Sequence, residues 1–309
     1  MHITIIGFGN QARAWSQNLR DSGVNVRVAL RPQSPSIGQA KALGFETVMI
    51  PSKEFFSSRH FALLTPDQGH DGFLREHASS FRPGSVILYA HGYSLTKHGF
   101  EKTYPALTHV LFAPKAIGSE LRKQFVERGK LGAVYSLEHV GADREETRLW
   151  LRDLATNLGI NLGPYETSFK RETEADLFSE QGLLCSLIPY TAEEMFRNLT
   201  DAGVEPELAY FECWHELKLI INAMVETGPQ GFFDLISPNA LVGAEKGYRR
   251  LMGAEFRANL SSLLREIKSG EFDRELGRTP VEDLRATIKS RWEKTLLMKT
   301  FTQINRDAK

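Results

Sequence analysis

Ile3-Thr4-Ile5-Ile6-Gly7-Phe8-Gly9-Asn10-Gln11-Ala12 is the stretch on which the fold turns. A β-branched apolar run enters a glycine pair and passes into a helical pattern over residues 10–22, the context a G-x-G-x-x-A fingerprint requires. Glycine at the first two positions permits a tight turn. It also lets backbone N–H groups approach a pyrophosphate at the positive end of the helix. Phe8, Gly9, Asn10 and Gln11 are therefore candidate cofactor-binding residues.

Outward from this motif, apolar runs alternate with helical periodicities. Strands are predicted at 3–6, 24–30, 61–64, 85–90, 109–113 and 133–137, and helices at 10–22, 36–43, 70–79 and 143–158. That rhythm specifies an α/β domain with a Rossmann-type, doubly wound parallel sheet. The second strand ends in Arg31, where an acid would accept bonds from a free ribose hydroxyl. Ser34 and Ser36 follow, so a cation and two hydroxyls stand where a 2′-phosphate would sit, which favours NADP(H) over NAD(H). Beyond residue 165 the β-branched runs give way to long helical patterns, as over 208–225 and 253–269. The expectation is a cofactor domain over 1–164 and an all-α domain over 165–309, with the boundary near Gly163-Pro164. The last residues, in a charged tail after Gly270, are expected to fray.

Composition excludes some classes of partner. Lys and Arg total 38 and Asp and Glu total 38, so the net charge is zero. A nucleic-acid binder or polybasic membrane-surface protein would be strongly basic. The only cysteines, Cys185 and Cys213, are too few for a disulfide framework and read as half-buried thiols of a reducing compartment. No apolar run reaches the roughly 18 residues of a membrane span. Met1 to Gly7 lead directly into a strand pattern rather than a signal peptide. A cytoplasmic location and small-molecule partners are expected.

The second half carries two acidic pairs, Asp176/Glu180 and Glu212/Glu216. Each pair is spaced four apart, so each lies on one helical face among Leu177, Phe178, Phe211, Trp214, Leu217 and Ile220. A buried, uncompensated carboxylate is costly, and hard divalent cations relieve that cost. Four such groups on two facing helices suit one or two Mg²⁺. Two amphipathic helices with acidic outer faces remain the alternative. His215 projects to another side from Glu216 and reads as a packing or outer-sphere residue.

Together these segments resemble ketol-acid reductoisomerase, also called acetohydroxyacid isomeroreductase, in its short form, over Ile3 to about Phe272. Phe8 to Gln11 resembles the family's pyrophosphate loop and Leu30 to Ser36 its 2′-phosphate loop. Leu64-Thr65-Pro66-Asp67-Gln68 resembles a cofactor-lining segment that contributes Asp67 and Gln68. Ala90-His91-Gly92-Tyr93 and Ala113-Pro114-Lys115 are similar to the catalytic histidine and lysine motifs. The resemblance implies NADPH and two Mg²⁺ as cofactors, with Asp176 bridging the ions, Glu180 on the first, and Glu212 and Glu216 on the second. It further implies Gly118 beside the nicotinamide, Ser237 on the substrate carboxylate and Glu216 as a proton-exchanging acid. The activity implied is alkyl migration and reduction of an acetohydroxy acid such as 2-acetolactate, in branched-chain amino-acid biosynthesis. A homodimer whose active site is completed by the second subunit is also implied.

The chain departs from the family pattern in several places. Ala12-Arg13 stands for Gly-His, and Ala116-Ile117 interrupts Lys-Gly-Pro-Gly. Ser186-Leu187 replaces a glycine pair, Pro238 follows Ser237, and Leu241-Val242 replaces an acidic-aromatic pair. The tail after Phe272 lacks the usual continuation. Several changes border the substrate pocket and spare the acids, which suggests altered substrate preference. An NADPH-dependent 2-keto acid reductase without the isomerase step, or a silent NADPH-binding paralogue, are the other readings left open.

Overall fold

The computed structural model describes residues 1–141 and 143–307, and the chain divides into two compact units, Met1–Thr173 and Glu174–Lys309.

In the first unit the chain runs through β1 (His2–Ile6), α1 (Asn10–Asp21), β2 (Asn25–Leu30), α2 (Ser36–Ala42), β3 (Glu46–Met49), β4 (His60–Leu63) and α3 (His70–His77). It continues with β5 (Val86–Tyr89), α4 (Tyr93–His98), α5 (Phe100–Thr103), β6 (Thr108–Pro114), α6 (Gly118–Glu127), β7 (Gly132–His139), α7 (Arg144–Leu158), β8 (Leu162–Glu166) and α8 (Phe169–Ser179). The sheet order is β3-β2-β1-β4-β5-β6-β7-β8, so strand order reverses between β1 and β4, the crevice where open α/β sheets bind ligands. Both faces are covered. Ile3 and Ile5 pack with Ala12, Trp15 and Leu19 of α1, while Ile6 packs with Phe55, Phe61, Leu74 and Phe81 on the opposite side. Burial on two faces is why these strands read as unbroken apolar runs.

Five elements of this unit escape the sequence pattern: β3, α4, α5, α6 and β8. β3 buries only Val48 and β8 buries nothing fully, since both are edge strands. Gly163-Pro164, the boundary expected from sequence, lies inside β8, where an edge position tolerates proline. α6 buries only Gly118 and Leu121, too few to mark a helical stripe. The sheet is also not wholly parallel. β7 runs antiparallel to β6, because the segment containing α6 returns to the edge it left and Lys115 N donates to Gly132 O at 2.9 Å.

α1 and α6 meet at their amino-terminal ends. A Cβ on Gly118 would lie 2.3 Å from Asn10 O and 2.9 Å from Gln11 N, so only glycine allows this approach. The Asn18 amide secures α1 further, donating to Leu121 O at 3.4 Å and Leu158 O at 3.2 Å. Gly118→Ala must part the helices, and urea unfolding is expected to show about 1–3 kcal/mol lost, as for other overpacked interiors. An unchanged midpoint would refute this account of the contact.

The second unit is helical: α9 (Leu187–Asp201), α10 (Pro206–Tyr210), α11 (Glu216–Leu235), α12 (Pro238–Leu251), α13 (Ala254–Ser269), α14 (Glu271–Arg278), α15 (Val281–Lys294) and α16 (Leu296–Asp307). Two stretches wind as π-helix, Glu180–Leu184 and Phe211–His215. Its buried cluster is small: Phe196, Ala209, Tyr210, Cys213 and Leu297. α16 packs against this cluster through Leu297 and Phe301, and the tail expected to fray is helical through residue 307. Residues 308–309 lie outside the described residues. By contrast α11, apolar in composition and broken at Gly228 (φ 74°) before Pro229, buries no residue, and Leu219, Val225 and Leu235 stand 57%, 73% and 65% exposed. No helix among the described residues is long and apolar enough to cross a membrane.

Candidate active site

The chemistry-bearing residues of the first unit follow successive strands at one edge of the sheet. After β1, Gly7 adopts φ 99° and donates its N–H to Ala29 O at 3.0 Å. A Cβ there would touch Thr65 Cγ2 at 3.0 Å, which holds the loops after β1 and β4 together. Gly9 caps α1 without any side-chain cap, its Cβ position faces open space, and the first helical turn carries no acid. The amino-terminal N–H groups of α1 are thus available to an anion. Phe8 is buried edge-on against Phe45, so only its backbone can serve a cofactor. Asn10 is exposed, whereas the Gln11 amide donates to Ala116 O at 2.8 Å and secures the loop before α6.

After β2, Arg31 is exposed and its carbonyl accepts from Ser34 N at 3.1 Å, while Ser34 Oγ accepts from Ser36 N at 3.4 Å. The turn holds both serines beside the arginine. After β4, Asp67 is half-buried and Gln68 exposed in a short 3-10 turn. Sequence reasoning missed His70, which is buried there. Its Nε2 donates to Thr65 O at 2.9 Å and its Nδ1 accepts from Ser94 Oγ at 2.8 Å. Burial lowers its pKa against the opposing pull of Asp67, so the ring is neutral, as this donor and acceptor pairing requires.

The catalytic pair expected from sequence converges on a third residue. Glu172, with a side chain 1% exposed, accepts from Lys115 Nζ at 2.6 Å, from Gly92 N at 2.7 Å and from His91 Nδ1 at 3.1 Å. Burial opposes its ionisation, but the His91 hydrogen bond and charge, reinforced by Lys115, hold the carboxyl below its ordinary range. It is an anion clamped by donors from the ends of two neighbouring strands. Gly92 makes this possible, since a Cβ would lie 2.4 Å from Phe169 O and 2.7 Å from Thr173 Oγ1. The link from His91 and Lys115 to a carboxylate is direct and runs to Glu172. Glu172 lies four residues before Asp176, outside the pair Asp176/Glu180.

The second unit corrects the picture of four buried acids on two facing helices. Asp176 is half-buried, whereas Glu180, Glu212 and Glu216 are exposed, because flanking Phe211, Leu219 and Ile220 are exposed as well. Among the described residues, no group of three or more ligating side chains within 4.8 Å contains two of these four acids. Each pair includes a residue of a π segment: Glu180 opens one, and Glu212 lies in the other just before Glu216 begins α11. Such widened turns concentrate at functional sites. Glu212 and Glu216 border a cavity of about 550 Å³ lined also by Leu187, Ile188, Leu217 and Phe256. His215 is exposed and contacts the rings of Tyr210 and Phe211. Ser237 caps α12, its Oγ accepting from Ala240 N at 3.2 Å, which leaves its hydroxyl proton to donate. Cys185 is exposed rather than half-buried and Cys213 is buried. Partial burial and the charges of Glu180 and Asp176 push the Cys185 thiol up.

Comparison with known proteins agrees across the chain. Residues 1–161 match the model of the acetohydroxy acid isomeroreductase NADPH-binding domain, and residues 169–306 that of the ketol-acid reductoisomerase C-terminal domain. An NADH-preferring ketol-acid reductoisomerase from an uncultured archean superposes with a TM-score of 0.86 at 25% identity, over 99% of this chain and 94% of its own. At fold level only, a semialdehyde dehydrogenase NAD-binding protein from Cupriavidus necator is similar (TM-score 0.63, 17% identity, 87% of this chain and 98% of its own). A pyrroline-5-carboxylate reductase from Coxiella burnetii is similar at the same level (0.64, 17%, 86% and 97%). With the glycine cradle on its first strand and a family match spanning both units, the chain belongs to the ketol-acid reductoisomerase family of nicotinamide-dependent oxidoreductases.

Proposed function

We propose that the protein converts a 2-aceto-2-hydroxy acid such as 2-acetolactate to a 2,3-dihydroxy acid by alkyl migration and reduction, using Mg²⁺ and NADPH. It would serve branched-chain amino-acid biosynthesis in the cytoplasm. The observation that carries the reading is the ionised Glu172, held by Lys115 and His91, one turn before Asp176 on α8. A plain ketone reductase has no need of a clamped anion beside a further acid.

The residues present fit both cofactors. Gly7 and Gly118 leave no room for a side chain, Gly9 opens to solvent, and α1 presents uncapped N–H groups, as a pyrophosphate requires. Asn10, Asp67 and Gln68 would line the dinucleotide, and Arg31, Ser34 and Ser36 would receive its 2′-phosphate. For metal, Asp176, Glu180, Glu212 and Glu216 form an all-oxygen donor set suited to two Mg²⁺. Bound Mg²⁺ supplies Lewis acidity, and bound NADPH supplies hydride. The chain's own groups do the rest. Glu172 orients the Lys115 ammonium and the His91 ring at the ends of β6 and β5, Ser237 donates to the substrate carboxylate, and Glu216 exchanges a proton with the substrate hydroxyl. The cavity beside Glu212 and Glu216 has room for the substrate's alkyl part.

We also read the functional form as a homodimer whose acid pairs come from different subunits. The uncovered apolar α11 supports this, since monomers rarely leave such surface open. An NADPH-oxidation assay with 2-acetolactate, with and without Mg²⁺, tests the activity. Consumption should require the metal and fall at least about a hundredfold in Glu212→Gln, a loss of roughly 2.7 kcal/mol in transition-state stabilisation. Metal-independent reduction of simple 2-keto acids, with 2-acetolactate untouched, would favour the reductase reading instead.

A further inference from the structure

We propose that Arg13 is a specificity-determining residue, the second cation that joins Arg31 in holding the 2′-phosphate of the dinucleotide. The inference rests on the NADPH reading above and adds a residue to it. Arg13 is the fourth residue of α1, in the first turn of a helix with no side-chain cap and no acid in that turn. A cation there faces the positive end of the helix dipole, an unfavourable placement by about 0.3–1 kcal/mol when nothing offsets it. Its partners do not offset it. Nη2 donates to Gln39 Oε1 at 2.9 Å, and the guanidinium stands 5.8 Å over the Phe8 ring. Amide and ring are both uncharged, and among the described residues Arg13 forms no ion pair. Phe8 and Gln39 thus hold the fork in place and leave its charge unneutralised.

The direction of the tether matters. Gln39 lies one turn after Ser36 on α2, so the guanidinium is tied to the helix that opens at Ser36, just after Ser34. Arg31, exposed at the end of β2, forms no ion pair among the described residues either. Two uncompensated guanidinium groups therefore serve the loop that carries two hydroxyls. A phosphate monoester carries close to two negative charges at neutral pH and offers three acceptor oxygens, more than one arginine satisfies. NAD(H), with a hydroxyl at that position, gives Arg13 nothing to neutralise.

The test is calorimetric titration of the full chain with 2′,5′-ADP and with 5′-AMP, for wild type, Arg13→Ala, Arg13→Lys and Arg31→Ala. Arg13→Ala should weaken 2′,5′-ADP about tenfold and 5′-AMP less than about twofold, as loss of one charge-assisted contact implies. Arg13→Lys should recover part of the loss, and the salt dependence of 2′,5′-ADP binding should flatten in Arg13→Ala. In turnover, KM for NADPH should rise with KM for NADH unmoved. Equal weakening of both nucleotides would place Arg13 on the shared 5′-phosphate and overturn the assignment, as would unchanged binding of both. If wild type discriminates between the nucleotides and Arg13→Ala does so equally, only this inference fails. If wild type does not discriminate, the NADPH reading fails with it.

Discussion

Replacing Glu172 with Gln is expected to lower kcat roughly 10²–10³-fold, the scale of losing a preorganised electrostatic contact, while NADPH affinity changes less than about threefold. The carboxylate accepts from Lys115, His91 and the Gly92 amide at once. An amide of the same shape offers one acceptor oxygen, and its NH₂ group must confront a donor already in place. Lys115 then loses its charge-assisted bond to Glu172. His91 loses the carboxylate that its Nδ1 faces. The dinucleotide cradle around Gly7 and Gly9 is untouched, which is why binding should survive. Acid stability supplies a second readout. The folded carboxyl titrates below its unfolded value, so its contribution is present above the unfolded pKa and is lost as pH falls through the folded one. Thermal unfolding of Glu172→Gln should therefore be less sensitive to acid below about pH 4.5, near the ordinary glutamate pKa. Full activity in Glu172→Gln would remove the observation on which the proposed function stands.

Mixing two inactive variants should restore activity. Asp176→Asn with Glu180→Gln removes one acid pair, and Glu212→Gln with Glu216→Gln removes the other. If each active site draws its pairs from two subunits, a heterodimer of the two variants has one site with all four acids and one with none. Random reassociation of equal amounts makes half the dimers mixed, so about a quarter of wild-type sites should return. The exposed apolar α11 supplies a surface for such exchange. No recovery after verified subunit exchange would mean that the four acids act within one chain, and the dimer reading would fail. Recovery without exchange cannot arise from this arrangement.

The sequence carries much of the first unit because fully buried strands leave a strong signal. Ile3 to Ile6 and the glycine pair after them fix both the sheet and the cofactor turn. Edge strands β3 and β8 are weakly patterned because one side of each lacks neighbours to bury against. Glu172 was passed over for a different reason. Its significance comes from Gly92 and Lys115, which are distant in sequence and reach it only through the order of β5 and β6. His70 reads as an ordinary helix-start residue until Thr65 and Ser94 are seen on its two ring nitrogens. For the acids, spacing by four was visible, yet spacing does not report winding. The π segments at Glu180 and Phe211 change which face each acid presents, and no residue pattern announced them.

Those two wide turns place a tension in the helical unit. A π turn forgoes the tighter hydrogen bonding of its α neighbours and is tolerated where geometry matters more than rigidity. If the acids hold metal as proposed, substitutions that regularise either segment would harden the protein against heat while changing the faces its acids present, so durability and catalytic rate would trade against each other at these positions.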